Sequence, residues 1–252
     1  MRIRASVAVV TGALALTALA VPAAQADGGY GDTKVTKVVV DGDNKAALST
    51  SGLKTITVSV TATDGSGILS ADPFALQGPD YGYWTTSKPV CKASSHTTST
   101  CTASVKIDPK VDFLSNAMAG TWYVDAWVDA RDGDYIWKEK AGSFKLQRAS
   151  KLTVNAAPEP VKKGKTVTVT GALTRASWDA GKYTGYAAQP VKLQFLKKGA
   201  KTYTTLKTVK TDAKGNLKTT VKASVDGYYR YSFAGTPTTP AVNATADFVD
   251  VR

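Results

Sequence analysis

The sequence predicts an all-β chain of two β-sandwiches in tandem behind a cleaved export signal. Three observations carry that expectation. Apolar residues recur with period two and almost never with the helical period. Gly, Asp and Asn turns interrupt the pattern about every ten residues, and the whole pattern restarts after Arg148.

The elements follow in order. Arg2 and Arg4 form a positive start, Ala5 to Ala20 carry no charge, and Ala24-Gln25-Ala26 supplies a small-x-small cleavage pattern. Residues 1–26 are therefore expected to be a signal peptide cut after Ala26. A membrane anchor is the competing reading, but the apolar run is marginal in length, rich in small residues and ends at the cleavage pattern. No later segment approaches about 18 apolar residues. The mature protein is thus expected to be secreted and soluble, without a transmembrane segment.

The first module is expected over residues 27–148. In KTITVSVTATD, Ile56, Val58, Val60 and Ala62 share one face, with Thr and Ser on the other. In TWYVDAWVDA, alternation sends Trp122, Val124, Ala126, Val128 and Ala130 inward and leaves Tyr123 and Trp127 outside. KAGSFKLQ adds a last strand with Phe144 and Leu146. Between the two lies DARDGDY, whose Asp132-Gly133 pair suits a two-residue type I′ hairpin turn. That turn places Arg131 opposite Asp134, Val128 opposite Trp137, Trp127 opposite Lys138 and Asp125 opposite Lys140. Cys91 and Cys101, in an exported chain, are expected to close a hairpin or loop as a disulfide. A metal pair is the alternative, but one histidine and no nearby carboxylate cluster make a poor zinc site.

The second module is expected over residues 149–252. KLTVNAAPEP opens it with a short strand, and Pro158 and Pro160 mark an edge or a strand switch. Alternation continues through Val167, Val169 and Leu173, then Val191, Leu193 and Phe195, then Leu217, Thr219 and Val221. GYYRYSFAG and ADFVDVR close it. Short strands at this spacing indicate sandwiches of immunoglobulin-like type.

A resemblance is visible in PVKKGKTVTVTGALTRA, PVKLQFLKKGAKTYTTLKTVKTDAKGNLKTTV and GYYRYSFAG. These stretches resemble bacterial immunoglobulin-like modules of secreted proteins, with a valine-rich strand after a Gly-Lys turn, a Thr-Asp-x-x-Gly turn and a late Gly-Tyr-x-Arg strand. The mature chain is similar along nearly its whole length to a family of exported actinobacterial two-module proteins, some labelled calcium-binding. The resemblance implies fold and export and adds weight to calcium. It names no ligand, because such modules serve many roles.

Charge separates the halves. Residues 27–148 carry 13 Lys/Arg against 14 Asp/Glu, whereas residues 149–252 carry 17 against 6. The basic half is the candidate for contact with a polyanion, such as an anionic cell-wall polymer or extracellular glycan, through Lys192, Lys197, Lys198, Lys201, Lys207 and Lys210. Outward lysines also keep sheets soluble and blunt their edges. Nucleic acid is not expected as a partner of an exported chain.

Catalytic constellations are not evident. His96, the one histidine, lies between the cysteines among Ser and Thr, and no nucleophile elbow accompanies it. The mature chain has two glutamates, Glu139 and Glu159, in turn-like contexts in different halves. An enzyme is not expected, and no cofactor is required. Calcium is the open alternative, through Asp64, Asp129, Asp132 and Asp134. No helix-loop-helix calcium motif fits, so such a site would have to assemble from separate loops, with Asp64 and Asp129 converging. Tyr81, Tyr83, Trp84, Tyr123 and Trp127 are candidates for stacking on a sugar, against the alternative that they fill the core. The function expected is therefore non-enzymatic binding or adhesion at the cell envelope, with calcium binding as the second reading.

Overall fold

A computed structural model describes residues 27–79 and 82–252, and the proposed signal peptide lies outside them. Apart from one turn of 3-10 helix at Asn116–Met118, the regular elements among them are strands. They form four sheets stacked in two sandwiches, an all-β tandem.

In the first half, Lys34–Val40, Lys54–Thr63, Thr98–Ile107 and Val90–Ala93 pair in that order as a four-stranded sheet. The facing seven-stranded sheet is built on Gly120–Ala130 and Tyr135–Arg148. Alternation places Ile56, Val58, Val60 and Ala62 of one sheet against Trp122, Val124, Ala126 and Val128 of the other, all buried. The N-terminal segment serves both layers. Gly28–Tyr30 pairs antiparallel with Tyr135–Trp137. The chain then crosses to the other sheet as Lys34–Val40 and returns as Lys45–Leu48, parallel to Lys145–Arg148. Cys91 and Cys101 are bonded, and they face each other across neighbouring strands of one sheet. His96 lies exposed at the tip of that hairpin.

The second half packs a sheet built on Thr166–Ser177 and Asn216–Lys222 against one built on Pro190–Lys197 and Gly227–Phe233. Val167, Val169, Leu173, Val191, Leu193 and Leu217 are buried between them. Tyr231 ties the two layers: its hydroxyl donates to the Val169 carbonyl at 3.0 Å, and burial pushes its phenol up to about 12. The short strand Asn155–Ala157 stops at Pro158 and lies at a sheet edge.

The DARDGDY turn differs from expectation. Ala130 N donates to the Asp134 carbonyl at 2.7 Å, and the pairs are Trp127 with Trp137, Val128 with Ile136 and Asp129 with Tyr135. The loop is thus the three-residue form Arg131-Asp132-Gly133, in which Gly133 alone has positive φ, 97°. The register shifts by one, which reverses the faces of the following strand. Ile136 packs against the core, and Tyr135 and Trp137 join Trp127 outside. The expected Asp125–Lys140 charge pair is not among the ion pairs of the described residues: at a bulge Lys140 N donates to Asp125 Oδ1 at 2.8 Å, while the Lys140 ammonium stands over the Tyr123 ring.

The halves are joined by an extensive junction. Arg148 is buried, and its Nε donates to the Ala176 carbonyl at 2.6 Å. Ala176 and Trp178, from the second half, belong to the first half's core cluster, with Tyr183 packed against it. Trp178 Nε1 donates to the Ser49 carbonyl at 2.9 Å, and its backbone N donates to Asn116 Oδ1 at 2.9 Å.

Candidate functional site

Three carboxylates converge at one end of the first sandwich. Asp32 lies where the N-terminal segment crosses between sheets, Asp64 follows the strand Lys54–Thr63, and Asp134 closes the hairpin turn. One oxygen from each lies within 4.8 Å of the others. The backbone builds this group. Asp32 N donates to Asp134 Oδ2 at 3.0 Å, which clasps the crossing segment to the hairpin. Gly31 is required there: its φ is +80°, and an added Cβ would stand 1.6 Å from Asp134 Oδ2.

Asp64 is the fixed member, 4% exposed. Its Oδ1 accepts from Ser66 N at 2.8 Å and Ser66 Oγ at 2.7 Å, and its Oδ2 accepts from Thr33 Oγ1 at 2.7 Å. Burial opposes its ionisation, but these hydrogen bonds outweigh it and hold the carboxyl below the ordinary aspartate value. None of the three carboxylates takes part in an ion pair among the described residues. Three convergent hard oxygen donors could hold a divalent cation whose remaining positions carry water.

Of the sequence candidates, Asp64 and Asp134 meet in this group. Asp129 does not join it, because the Asp129 side chain lies on the outer sheet face. There its Oδ1 accepts from Trp127 Nε1 at 2.8 Å and its Oδ2 from Ser70 Oγ at 3.0 Å. Asp132 also stands apart, capping the turn by accepting Asp134 N at 3.1 Å. Asp32 is the residue that sequence reasoning missed. Its nearest cue is GYGD, a glycine-flanked acid at a strand switch, which in sequence is 102 residues from its partner Asp134.

The aromatic candidates divide by face. Tyr83 points inward and stacks on Trp122, centroids 5.8 Å apart and planes 20° apart, so it is a core residue and not part of a sugar platform. Tyr81 lies outside the described residues. Trp84 is 60% exposed on the edge strand Gly82–Trp84. Trp127 lies on the outer face but is covered by Tyr135 at 5.0 Å, nearly parallel, and tilted against Trp137 at 6.0 Å. Tyr123 carries the Lys140 ammonium 5.1 Å from its ring centre. The result is an outer aromatic strip in which rings largely occupy one another's faces.

The lysines of the second half are exposed and spread over both sheets. Lys192 and Lys210 occupy the face of the Pro190–Lys197 sheet, and Lys197, Lys198 and Lys201 lie around the turn that follows it. Lys207 reaches across the sandwich edge, donating to the Thr220 carbonyl at 2.8 Å. Lys218 and Lys222 occupy the opposite sheet.

No protein-family model matches the chain, and no curated protein matches it. Among solved structures, three N-terminal domains of the outer capsid protein Hoc of bacteriophage RB49 align with 87% of this chain and 70% of theirs, at 8% identity and a TM-score of 0.32. The D00-D0 domain of intimin aligns with 84% of this chain and 99% of its own, at 13% identity and a TM-score of 0.27. A Corynebacterium diphtheriae protein described as membrane anchored aligns with 85% of this chain and 53% of its own, at 12% identity and a TM-score of 0.30.

Proposed function

We propose that this chain is a non-enzymatic binding protein of the cell exterior, whose basic second half holds it to an anionic polymer of the envelope or matrix. The supporting observation is a cationic surface with little local neutralisation. That half carries 17 basic against 6 acidic residues. Its only ion pairs among the described residues are Lys198–Asp226 and Arg252–Asp250. With lysines on both sheets, the field surrounds the module and needs no single groove, which suits a flexible repeating polyanion better than a small ligand. The disulfide fits an oxidising compartment.

The test is retention of the purified protein on immobilised teichoic acid across a salt gradient. Binding near 0.15 M salt should be lost by roughly 1 M, where the screening length falls to about 3 Å. Lys192→Glu with Lys210→Glu should shift elution to lower salt. Retention that ignores both salt and these substitutions would sink the proposal.

A second reading, a divalent-cation site at Asp32, Asp64 and Asp134, is favoured by the convergence of three carboxylates without a basic partner. Calcium at about 100 times its Kd should stabilise the chain by roughly 2.7 kcal/mol and raise Tm by several degrees. Asp134→Asn should abolish that increment, while Asp129→Asn should keep it. Melting curves that coincide with calcium and with chelator dispose of this reading without touching the first.

A further inference from the structure

We infer that Arg148 and Arg175, neighbours at the junction of the two halves, bind a doubly charged tetrahedral oxyanion of the phosphate type, free or as a monoester. The inference goes beyond the polyanion reading and does not rest on it, since the lysines named there take no part.

Strand register brings the two arginines together. Ser150 lies opposite Arg175 and Leu152 opposite Leu173. The Ala149 carbonyl accepts from Ala176 N at 2.8 Å, so the same pairing runs on and sets Arg148 opposite Ser177. Alternation then puts Arg148, Ser150 and Arg175 on the face that carries the buried Leu152 and Leu173. The arginines are diagonal neighbours where that core face ends. The loop 236–240 borders them. Arg148 N donates to the Thr238 carbonyl at 3.0 Å, Ser150 Oγ donates to the Pro240 carbonyl at 3.1 Å, and Arg175 Nη1 lies 3.4 Å from Thr239 Oγ1.

Arg148 carries the argument. It is 7% exposed, and an arginine so buried normally has a carboxylate partner. Neither arginine forms an ion pair among the described residues. Asp179 is close enough for its charge to be felt at Arg148, but its two oxygens accept from the backbone N and Nδ2 of Asn116. Arg148 uses only Nε, which donates to the Ala176 carbonyl at 2.6 Å. Its terminal nitrogens bond no described group, and neither is among the sealed polar atoms that lack a partner, so both open to solvent.

Arg175 is half-buried, and its guanidinium carbon stands 3.8 Å from the centre of the Tyr186 ring. That contact occupies the face of the guanidinium and leaves most of its N–H edge free. Burial and then repulsion from Arg175 push the Arg148 guanidinium below the ordinary arginine value. Arginine nevertheless stays protonated. Two adjacent cations therefore meet at a partly dried junction, and an anion relieves both the repulsion and the unpaired charge.

Guanidinium forks match the oxygens of phosphate two at a time. A dianion neutralises both cations, whereas a carboxylate or a phosphodiester neutralises one. A metal ion is repelled, and an uncharged sugar leaves the charges as they were. Arg148 ends the last strand of the first half and Arg175 belongs to the second, so a bridging anion also ties the halves together.

The test is thermal unfolding of the whole mature chain, with phosphate replacing chloride at equal ionic strength. Phosphate at about 10 mM should raise Tm by about 2–4 °C, because it binds the folded junction alone. Titration calorimetry should show a saturable site that takes dimethyl phosphate at least about tenfold more weakly, for want of the second charge. Glycerol 3-phosphate separates the sources. An equal rise assigns the site to a phosphomonoester at the end of a larger molecule, and a rise with inorganic phosphate alone assigns it to the free ion. Arg175→Gln should remove the increment while leaving salt elution from teichoic acid nearly unchanged. Lys192→Glu with Lys210→Glu should keep the increment, so this inference and the polyanion reading fail separately. The comparison of phosphate with dimethyl phosphate needs no variant and stays decisive if Arg175→Gln does not fold. Equal Tm in phosphate and chloride, an increment that survives Arg175→Gln, or equal affinity for dimethyl phosphate would overturn the inference.

Discussion

Trp122→Ala should destabilise the first sandwich by about 3–5 kcal/mol, the range for removing a large aromatic ring from a packed core. The Trp122 side chain is wholly buried. It stacks on Tyr83 at 5.8 Å and tilts against Phe144 at 6.2 Å, so its loss would uncouple three aromatic rings. It also donates from Nε1 to the Met118 carbonyl at 2.8 Å, tying the 3-10 turn to the strand Gly120–Ala130. In thermal unfolding the effect should be a fall in Tm of roughly 10–20 °C. Trp127→Ala, five residues on and facing out, is the informative control. Its ring packs only on surface neighbours, so its removal should cost about 1 kcal/mol. Equal losses for the two variants would contradict the assignment of faces along this strand.

That assignment was legible in the sequence because a strand has one free choice, which face is inside, and a run of alternating residues makes it repeatedly. Ile56 to Ala62, Trp122 to Ala130, and Val167 to Leu173 each state the same choice several times, and each proves buried as read. Turn geometry is different. DARDGDY is compatible with a two-residue or a three-residue loop, and Asp132-Gly133 suits both. What selects the second is tertiary: the one-residue shift brings Ile136 against the core. No feature inside the loop announces that outcome.

The acidic group was legible in part for the same reason. Asp64 and Asp134 sit at strand ends, where loops of a sandwich meet, and alternation leads to those ends. Asp129 sits one register position away, which turns its side chain onto the outer sheet face, where it bonds Trp127 and Ser70. Asp32 arrives by a crossing of the N-terminal segment from one sheet to the other, a topological event with no periodic trace. The junction is equally silent in sequence. Trp178 stands in RASWDAGKY, where its neighbours suggest an exposed turn. Its burial depends on a second module that local pattern does not mention.

Trp178→Ala should accordingly separate the two halves without unfolding either. Trp178 is 6% exposed and packs in a core built mainly by the other half of the chain. Removing the ring should cost about 3–5 kcal/mol, and the loss falls on the junction, because each sandwich keeps its own interior around Trp122 or Tyr231. The Nε1–Ser49 bond disappears with it, which leaves the Ser49 carbonyl without that donor. Hydrogen bonds across the junction remain, among them Arg148 Nε to the Ala176 carbonyl at 2.6 Å and Asn116 N to Asp179 Oδ1 at 3.0 Å, but without the indole they lose the apolar packing that shields them from water. In calorimetry the parent chain should therefore melt as one cooperative unit, and the variant as two transitions. Small-angle scattering should show a larger radius of gyration for the variant at temperatures where both halves are folded. A single transition at the parent's Tm with unchanged dimensions would mean that the backbone alone sets the geometry.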